Sequence, residues 1–174
     1  SLTSRGSVKT PLRRIVLIGE NIELRIVSLV VRCREVAEDV VVFDTGSTDE
    51  TVQLAGEVQS RVVEYNGDLT PQHLAKAAVS ASLDDGLTLF LPISPMWKMA
   101  ELPLSVNRAR EGWDIHYLYR EQPGTNALEP MMLANASMGH LIASAAGLQH
   151  LAQLPDAATT GVATATASSA IAAT

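Results

Sequence analysis

One cysteine, Cys33, occurs in the 174 residues, so no internal disulfide framework can staple the chain. A single thiol suits a reducing compartment, and Cys33 falls on the apolar face of a predicted helix, where it packs rather than reacts. Aromatic residues make up 4% of the sequence, which leaves the core to aliphatic side chains. Positive charge is also scarce: the net charge is −6, and no run of Lys and Arg is dense enough to neutralise phosphates along a nucleic acid. Among the basic residues that do group, Arg13, Arg14, Arg25, Arg32 and Arg34, the last three read as the solvated face of a helix. Residues 1–14 contain no apolar run of the kind a secretory leader needs, and a cytoplasmic location follows by default.

Charge nearly vanishes after Glu129, with Asp156 its one formally charged residue. Residues 131–154 read as one alanine-rich helix. That length could cross a bilayer, but Asn135, His140, Gln149 and His150 argue against membrane contact. A helix packed on its own domain or on a second copy of the chain, as in a homo-oligomer, fits better. Residues 157–174 are low-complexity Ala/Thr/Ser and are expected to be mobile unless a partner orders them.

Hydrophobic residues amount to 47%, enough for a sizeable core. Apolar runs at 14–18, 40–43, 61–65, 87–91 and 113–119 read as strands. Between them, Ile22, Ile26, Leu29, Cys33 and Val36 recur at helical spacing, as do Val52, Ala55 and Val58. Thr70 and Pro71 supply a cap and first-turn proline for a helix to about residue 83. This alternation predicts an α/β fold with a doubly wound, mostly parallel, Rossmann-like sheet and a C-terminal alanine-rich helix. The domain division reads as a polar segment at 1–13, the α/β domain at 14–129, a charge-poor helix at 130–154 and a tail at 155–174.

Residues 40–51, Val-Val-Val-Phe-Asp-Thr-Gly-Ser-Thr-Asp-Glu-Thr, carry the strongest local signal. A buried strand runs into Asp44, the chain turns at Gly46, and a helix is expected to start at Ser47 with Glu50 completing a capping box. A carboxylate at a strand end beside a helix N-terminus is where α/β proteins hold small ligands. Asp44-Thr45-Gly46 is similar to the turn of aspartic proteases. Those enzymes continue in β-structure, however, and need a second such turn, which this sequence does not contain.

The wider segment 38–55 closely resembles the family-two inverting glycosyltransferases of the GT-A fold, in which a strand ends in Asp before a Gly-Ser-Thr-Asp turn and a helix. The likeness extends loosely over 14–120. Glu20-Asn21 stands, in reversed order, where the family has Asn-Glu. The resemblance implies a nucleotide-sugar pocket containing Glu20, Asp44, Gly46, Ser47 and Asp49, with Asp44 accepting hydrogen bonds from the base or ribose. Simple helix capping explains Asp49 and Glu50 equally well.

Members of that family also use an Asp-x-Asp after a later strand to hold manganese or magnesium on the donor diphosphate. Here the strand at 87–91 is followed by Pro92 and Ser94 at those positions, so no metal cofactor of the family type is expected. Asp84-Asp85-Gly86 precedes that strand and reads as a turn at the other end of the sheet. His73 reads as a partly packed helix residue. Beyond residue 100 the acidic candidates for a catalytic base are Glu101, Glu111, Asp114, Glu121 and Glu129, and none sits in a family motif. The expectation is a degenerate, shortened glycosyltransferase-like domain with a retained nucleotide-sugar pocket and catalysis lost or weak. The alternative is a non-catalytic assembly module that uses the C-terminal helix. An active transferase would need carboxylates supplied from elsewhere.

Overall fold

A computed structural model describes residues 10–120, 137–155 and 170–171. In chain order the elements are β1 (Arg14–Gly19), α1 (Ile26–Arg34), β2 (Asp39–Asp44), α2 (Thr51–Glu57), β3 (Arg61–Glu64), α3 (Pro71–Ser80), β4 (Thr88–Pro92), α4 (Glu101–Ala109), β5 (Ile115–Arg120), β6 (Ser137–Ala143), α5 (Ala145–Ala152) and β7 (Ala170–Ile171). The strands form one sheet in the order β3-β2-β1-β4-β6-β5-β7. β1 pairs in parallel with β2 and β4, and β2 with β3. β6 runs antiparallel between β4 and β5, and β7 antiparallel beside β5. Strands β1 to β5 therefore point one way, as the α/β reading expects.

The core lies on both faces of this sheet. One face joins Ile15, Leu17, Val40, Val42, Leu89 and Leu91 to α1, α2 and α4. The other joins Val16, Ile18, Val41, Phe43 and Phe90 to α3 and α5. Consecutive residues of β1, β2 and β4 thus face opposite helical layers, which explains their unbroken apolar runs. The crossovers through α1 and α2 carry the chain outward on one face. The crossover through α3 returns it on the other face to β4, beside β1. The junction of β1 and β4 is thus the point where the winding reverses, and the crevice beyond it is the expected ligand site.

Three expectations change. The helix expected over 131–154 is instead a strand, β6, followed by the short helix α5; residues 121–136 lie outside the described part. β6 is buried on both sheet faces, so Leu141, Ile142 and Ala143 give no alternation to distinguish strand from buried helix. Gly139 sits where the pairing with β5 shifts register, a β-bulge. Leu148 and Leu151 of α5 are buried in the layer shared with α3. Within the 157–174 tail, Ala170–Ile171 pair with Ile115 and His116 of β5, while most of the rest lies outside the described residues. Finally, no capping box forms at Ser47: the helix begins at Thr51, with no side-chain hydrogen bond from the residue before it. Among the described residues, no helix is long and apolar enough to cross a membrane.

The end of the sheet away from the crevice is tied by charge. Arg14 is buried, with its side chain 3% exposed. It donates to Asp39 Oδ2 at 2.8 Å, Asp85 Oδ1 at 2.8 Å and the Leu83 carbonyl at 3.0 Å. The Arg14 hydrogen bond holds the Asp85 carboxyl below the usual carboxylate range. Asp84 accepts from the Gln149 side chain of α5. The Asp84-Asp85 pair is therefore a turn at the far end of the sheet.

Candidate functional site

A cleft of about 580 Å³ opens at the reversal point between β1 and β4. Glu20, Asn21 and Thr45 supply its polar wall, Pro92, Ile93 and Ser94 the wall from β4, and Ile18, Leu69 and Met138 add apolar side chains. At its floor, backbone meets backbone: a Cβ on Gly19 would stand 2.9 Å from the Ile93 carbonyl oxygen. Ile93 N–H donates to the Ile18 carbonyl at 2.7 Å, continuing the β1–β4 pairing beyond the strands.

The polar wall is built by a reciprocal web between the loop after β1 and the loop after β2. Asn21 has φ 52°, a left-handed conformation that Asn tolerates better than most residues. Its N–H donates to Ser47 Oγ at 2.9 Å, and its Oδ1 accepts from Thr48 N–H at 2.8 Å. Ser47 in turn donates its hydroxyl to Asp44 Oδ1 and its N–H to Asp44 Oδ2 at 3.0 Å. Gly46 N–H reaches the same Oδ2 at 3.3 Å, from a φ of 128° that favours glycine. Thr45 donates to Glu20 Oε1 at 3.3 Å.

Asp49 continues the web one turn further. Its Oδ1 accepts from the N–H and hydroxyl of Thr51, and its Oδ2 from Glu23 N–H at 3.3 Å. Desolvation pushes its carboxyl pKa up, but the Thr51 and Glu23 hydrogen bonds outweigh that and hold it below its ordinary value. Thr51 is fully buried, and its Oγ1 also accepts from Ile22 N–H at 2.9 Å. Glu23 Oε2 returns the favour by accepting from Glu50 N–H.

Of the residues singled out by sequence, Glu20 lines the cleft. Asp44, Gly46, Ser47 and Asp49 form the turn that carries Thr45 into the wall. The packing purpose of Asp44, absent from the sequence reading, is this turn: the residue is 7% exposed and its carboxylate accepts three hydrogen bonds from Gly46 and Ser47. Asn21 and Thr45 were missed as wall residues.

Arg25 requires a correction. Rather than facing solvent with Arg32 and Arg34, it donates to the Trp97 carbonyl at 2.7 Å and the Ser94 carbonyl at 2.8 Å, stapling the start of α1 to the loop after β4. No periodicity could have revealed a contact between residues so far apart in sequence. His73 is half-buried, with its ring nitrogen beside the Thr70 hydroxyl.

Among the described residues, the acidic candidates beyond residue 100 do not gather at the cleft. Glu111 accepts from Arg108 and Trp113, and Asp114 from Ser144, both at the sheet end away from the crevice. Glu101 accepts from Lys98 N–H at the start of α4. Glu121 and Glu129 lie outside the described residues.

A second, smaller cavity of about 220 Å³ lies under α4. Along it runs a buried polar chain: Ser105 Oγ is 3.1 Å from His140 Nδ1, and His140 Nε2 is 3.1 Å from His116 Nδ1. Burial, then His116 and Arg108, push the His140 pKa down to about 3. Burial and Arg108 also lower His116, against Glu111. Burial disfavours the charged form of both rings.

No family profile and no curated protein sequence matches the chain. Solved structures do. Glucosyl-3-phosphoglycerate synthase from Mycobacterium tuberculosis, in complex with Mn2+, UDP and glucosyl-3-phosphoglycerate, is similar at 21% identity and a TM-score of 0.51. The match covers 83% of this chain and 60% of the synthase, so the chain spans about three fifths of that protein's length. A CMP:2-keto-3-deoxy-manno-octonic acid synthetase complexed with CTP is similar at 13% identity and a TM-score of 0.51, over 87% of this chain and 82% of that one. The fold is GT-A-like, shared with nucleotide-sugar and nucleotidyl transferases.

Proposed function

We propose that this chain is a glycosyltransferase-like domain, related to the family-two inverting enzymes, that keeps the nucleoside end of a nucleotide-sugar pocket and has lost most or all catalysis. The observation that carries this reading is the cleft at the β1–β4 reversal, with Glu20, Asn21 and Thr45 offering oxygens and amides beside an apolar wall. Both structural relatives described above hold a nucleotide, UDP in one and CTP in the other.

The metal of such enzymes does not fit the donor set here. Pro92 and Ser94 bring no carboxylate to the end of β4, and the Ser94 carbonyl already accepts from the Arg25 guanidinium at 2.8 Å. A divalent cation would meet a fixed positive charge there. With Glu111 and Asp114 at the other end of the sheet, neither serves as a base in this cleft. The pocket reading is favoured over an assembly module because Leu148 and Leu151, the apolar side of α5, are already buried beside α3.

The test is a thermal-shift screen of nucleosides and of UDP-, GDP- and dTDP-sugars, with and without manganese. A ligand at a hundred times its dissociation constant adds about 2.7 kcal/mol of stability, several degrees in a domain of this size. A shift with at least one nucleoside or nucleotide-sugar is expected, without any manganese requirement. Silence across the whole panel would refute the pocket.

A further inference from the structure

The misfit between the end of β4 and a metal ion shows what stands there instead, on the premise that the nucleotide reading above is right. We infer that Arg25 supplies the positive charge that holds a phosphate group of the ligand beside Ser94, so that the cleft binds a nucleoside diphosphate or its sugar ester without a divalent cation.

Arg25 immediately precedes α1, and its side chain crosses to the loop after β4. One terminal nitrogen donates to the Trp97 carbonyl at 2.7 Å and the other to the Ser94 carbonyl at 2.8 Å. Trp97 N–H donates to the same Ser94 carbonyl at 3.0 Å, so the guanidinium clasps both ends of one closed turn. Carbonyls are neutral acceptors. They orient a guanidinium without cancelling its charge, and its five N–H groups are not exhausted by two such bonds.

Ser94 connects this cation to the cleft. Its carbonyl meets Arg25, while the residue itself is exposed and lines the wall from β4. A phosphate accepting from the Ser94 hydroxyl would sit one residue away from a charge that is already fixed in place. A fixed charge needs no reorganisation when the anion arrives, which is the electrostatic service a bound metal otherwise provides.

The carboxylates of the neighbouring loops are engaged on the other side. Glu20 Oε1 accepts from Thr45 of the loop after β2, and β1 separates that loop from the end of β4. Glu23 accepts from Glu50 N–H, and Asp49 from the Glu23 and Thr51 N–H groups. The cleft is therefore polarised, with acceptor oxygens for hydroxyls towards β2 and a cation towards β4.

The experiment is isothermal titration of the full chain, in EDTA, with uridine, cytidine, thymidine, adenosine and guanosine and with the matching diphosphates. At least one diphosphate should bind tenfold or more tightly than its nucleoside, with no gain on replacing EDTA by manganese. Its affinity should fall several-fold as salt rises from about 0.05 M to about 0.5 M, because screening weakens an attraction. Arg25→Met should weaken the diphosphate by roughly tenfold, the order a single partly screened charge supplies, and leave the nucleoside unchanged. Arg25→Lys, which keeps the charge but cannot span both carbonyls, should recover most of the loss. These variants isolate the Arg25 charge from the rest of the field at this end of the sheet. A nucleoside that binds as tightly as its diphosphate overturns this inference and leaves the nucleotide reading standing. So does diphosphate affinity that rises with salt or depends on manganese, a result that needs no variant to fold. An Arg25→Lys chain as weak as Arg25→Met would reduce Arg25 to a staple and likewise overturn it. Failure of every nucleoside and diphosphate to bind overturns both.

Discussion

Gly147→Ala sets two opposed effects against each other. Gly147 is the third residue of α5, and in a free helix alanine there would be the better former by about 1 kcal/mol. The surroundings forbid it. A Cβ at Gly147 would lie 2.0 Å from the Asp114 carbonyl oxygen and 3.0 Å from Ile115 Cγ1. That carbonyl cannot simply move away, because it accepts from Ser144 N–H at 2.9 Å. Ser144 caps α5 by accepting from Gly147 N–H at 3.0 Å and donates its hydroxyl to Asp114 Oδ1 at 3.0 Å.

Relief of the clash therefore loosens the cap. Overpacking of ~1–3 kcal/mol and a weakened cap of ~1 kcal/mol outweigh the propensity gain. The expected net loss is about 1–3 kcal/mol, or ~2–4 °C in melting temperature for each kcal/mol. The control is Gly56→Ala in α2, where a Cβ meets nothing within 4 Å and should stabilise by about 0.5–1 kcal/mol. Urea unfolding followed by far-UV circular dichroism measures both. If Gly147→Ala proves as stable as the parent while Gly56→Ala gains, α5 does not dock on Asp114 as described.

Arg14→Met keeps volume but removes a buried guanidinium with two carboxylate partners, and should cost about 2–4 kcal/mol, since those partners are partly solvated. Because Asp85 has a lowered folded pKa, its contribution is full above its ordinary 3.8 and lost as pH falls through the folded value. The parent should thus lose stability below about pH 4 more steeply than Arg14→Met; equal acid slopes would discount the pairing. The histidines act in a different window. With His140 near 3 folded and 6.5 unfolded, the unfolded chain takes up the extra proton, so stability falls as pH drops from 6.5 towards 3. The slope should reach at most ~1.4 kcal/mol per pH unit for that ring. An NMR titration showing His140 protonating near 6.5 would contradict the buried chain. Cys33, fully buried with its thiol pushed up to about 12, should resist thiol reagents at pH 8 until urea unfolds the chain. Prompt labelling of the native protein would mean that α1 is not packed as described.

The parallel half of the sheet was legible because β1, β2 and β4 are short β-branched and aliphatic runs separated by helical spacing and turn residues. Thr70 and Pro71 mark the start of α3 because a hydroxyl acceptor and a missing N–H both suit a helix N-terminus, and Thr70 does accept from His73 N–H. β6 was not legible, since a strand buried on both faces has neither charge nor alternation to identify it. At the site, the turn at Asp44 stood out, but its inward role did not. Sequence shows that a carboxylate is present; only the fold shows that Gly46 and Ser47 consume it. The same limit hid Arg25, whose partners are carbonyls on a distant loop.

Arg25 also couples the loop after β4 to the start of α1. Because its guanidinium is anchored to the Ser94 and Trp97 carbonyls, an aspartate introduced at position 94 would arrive beside a positive charge and be drawn into an ion pair. Removing Arg25 would instead leave both carbonyls to find other donors and free the loop to shift against the helix.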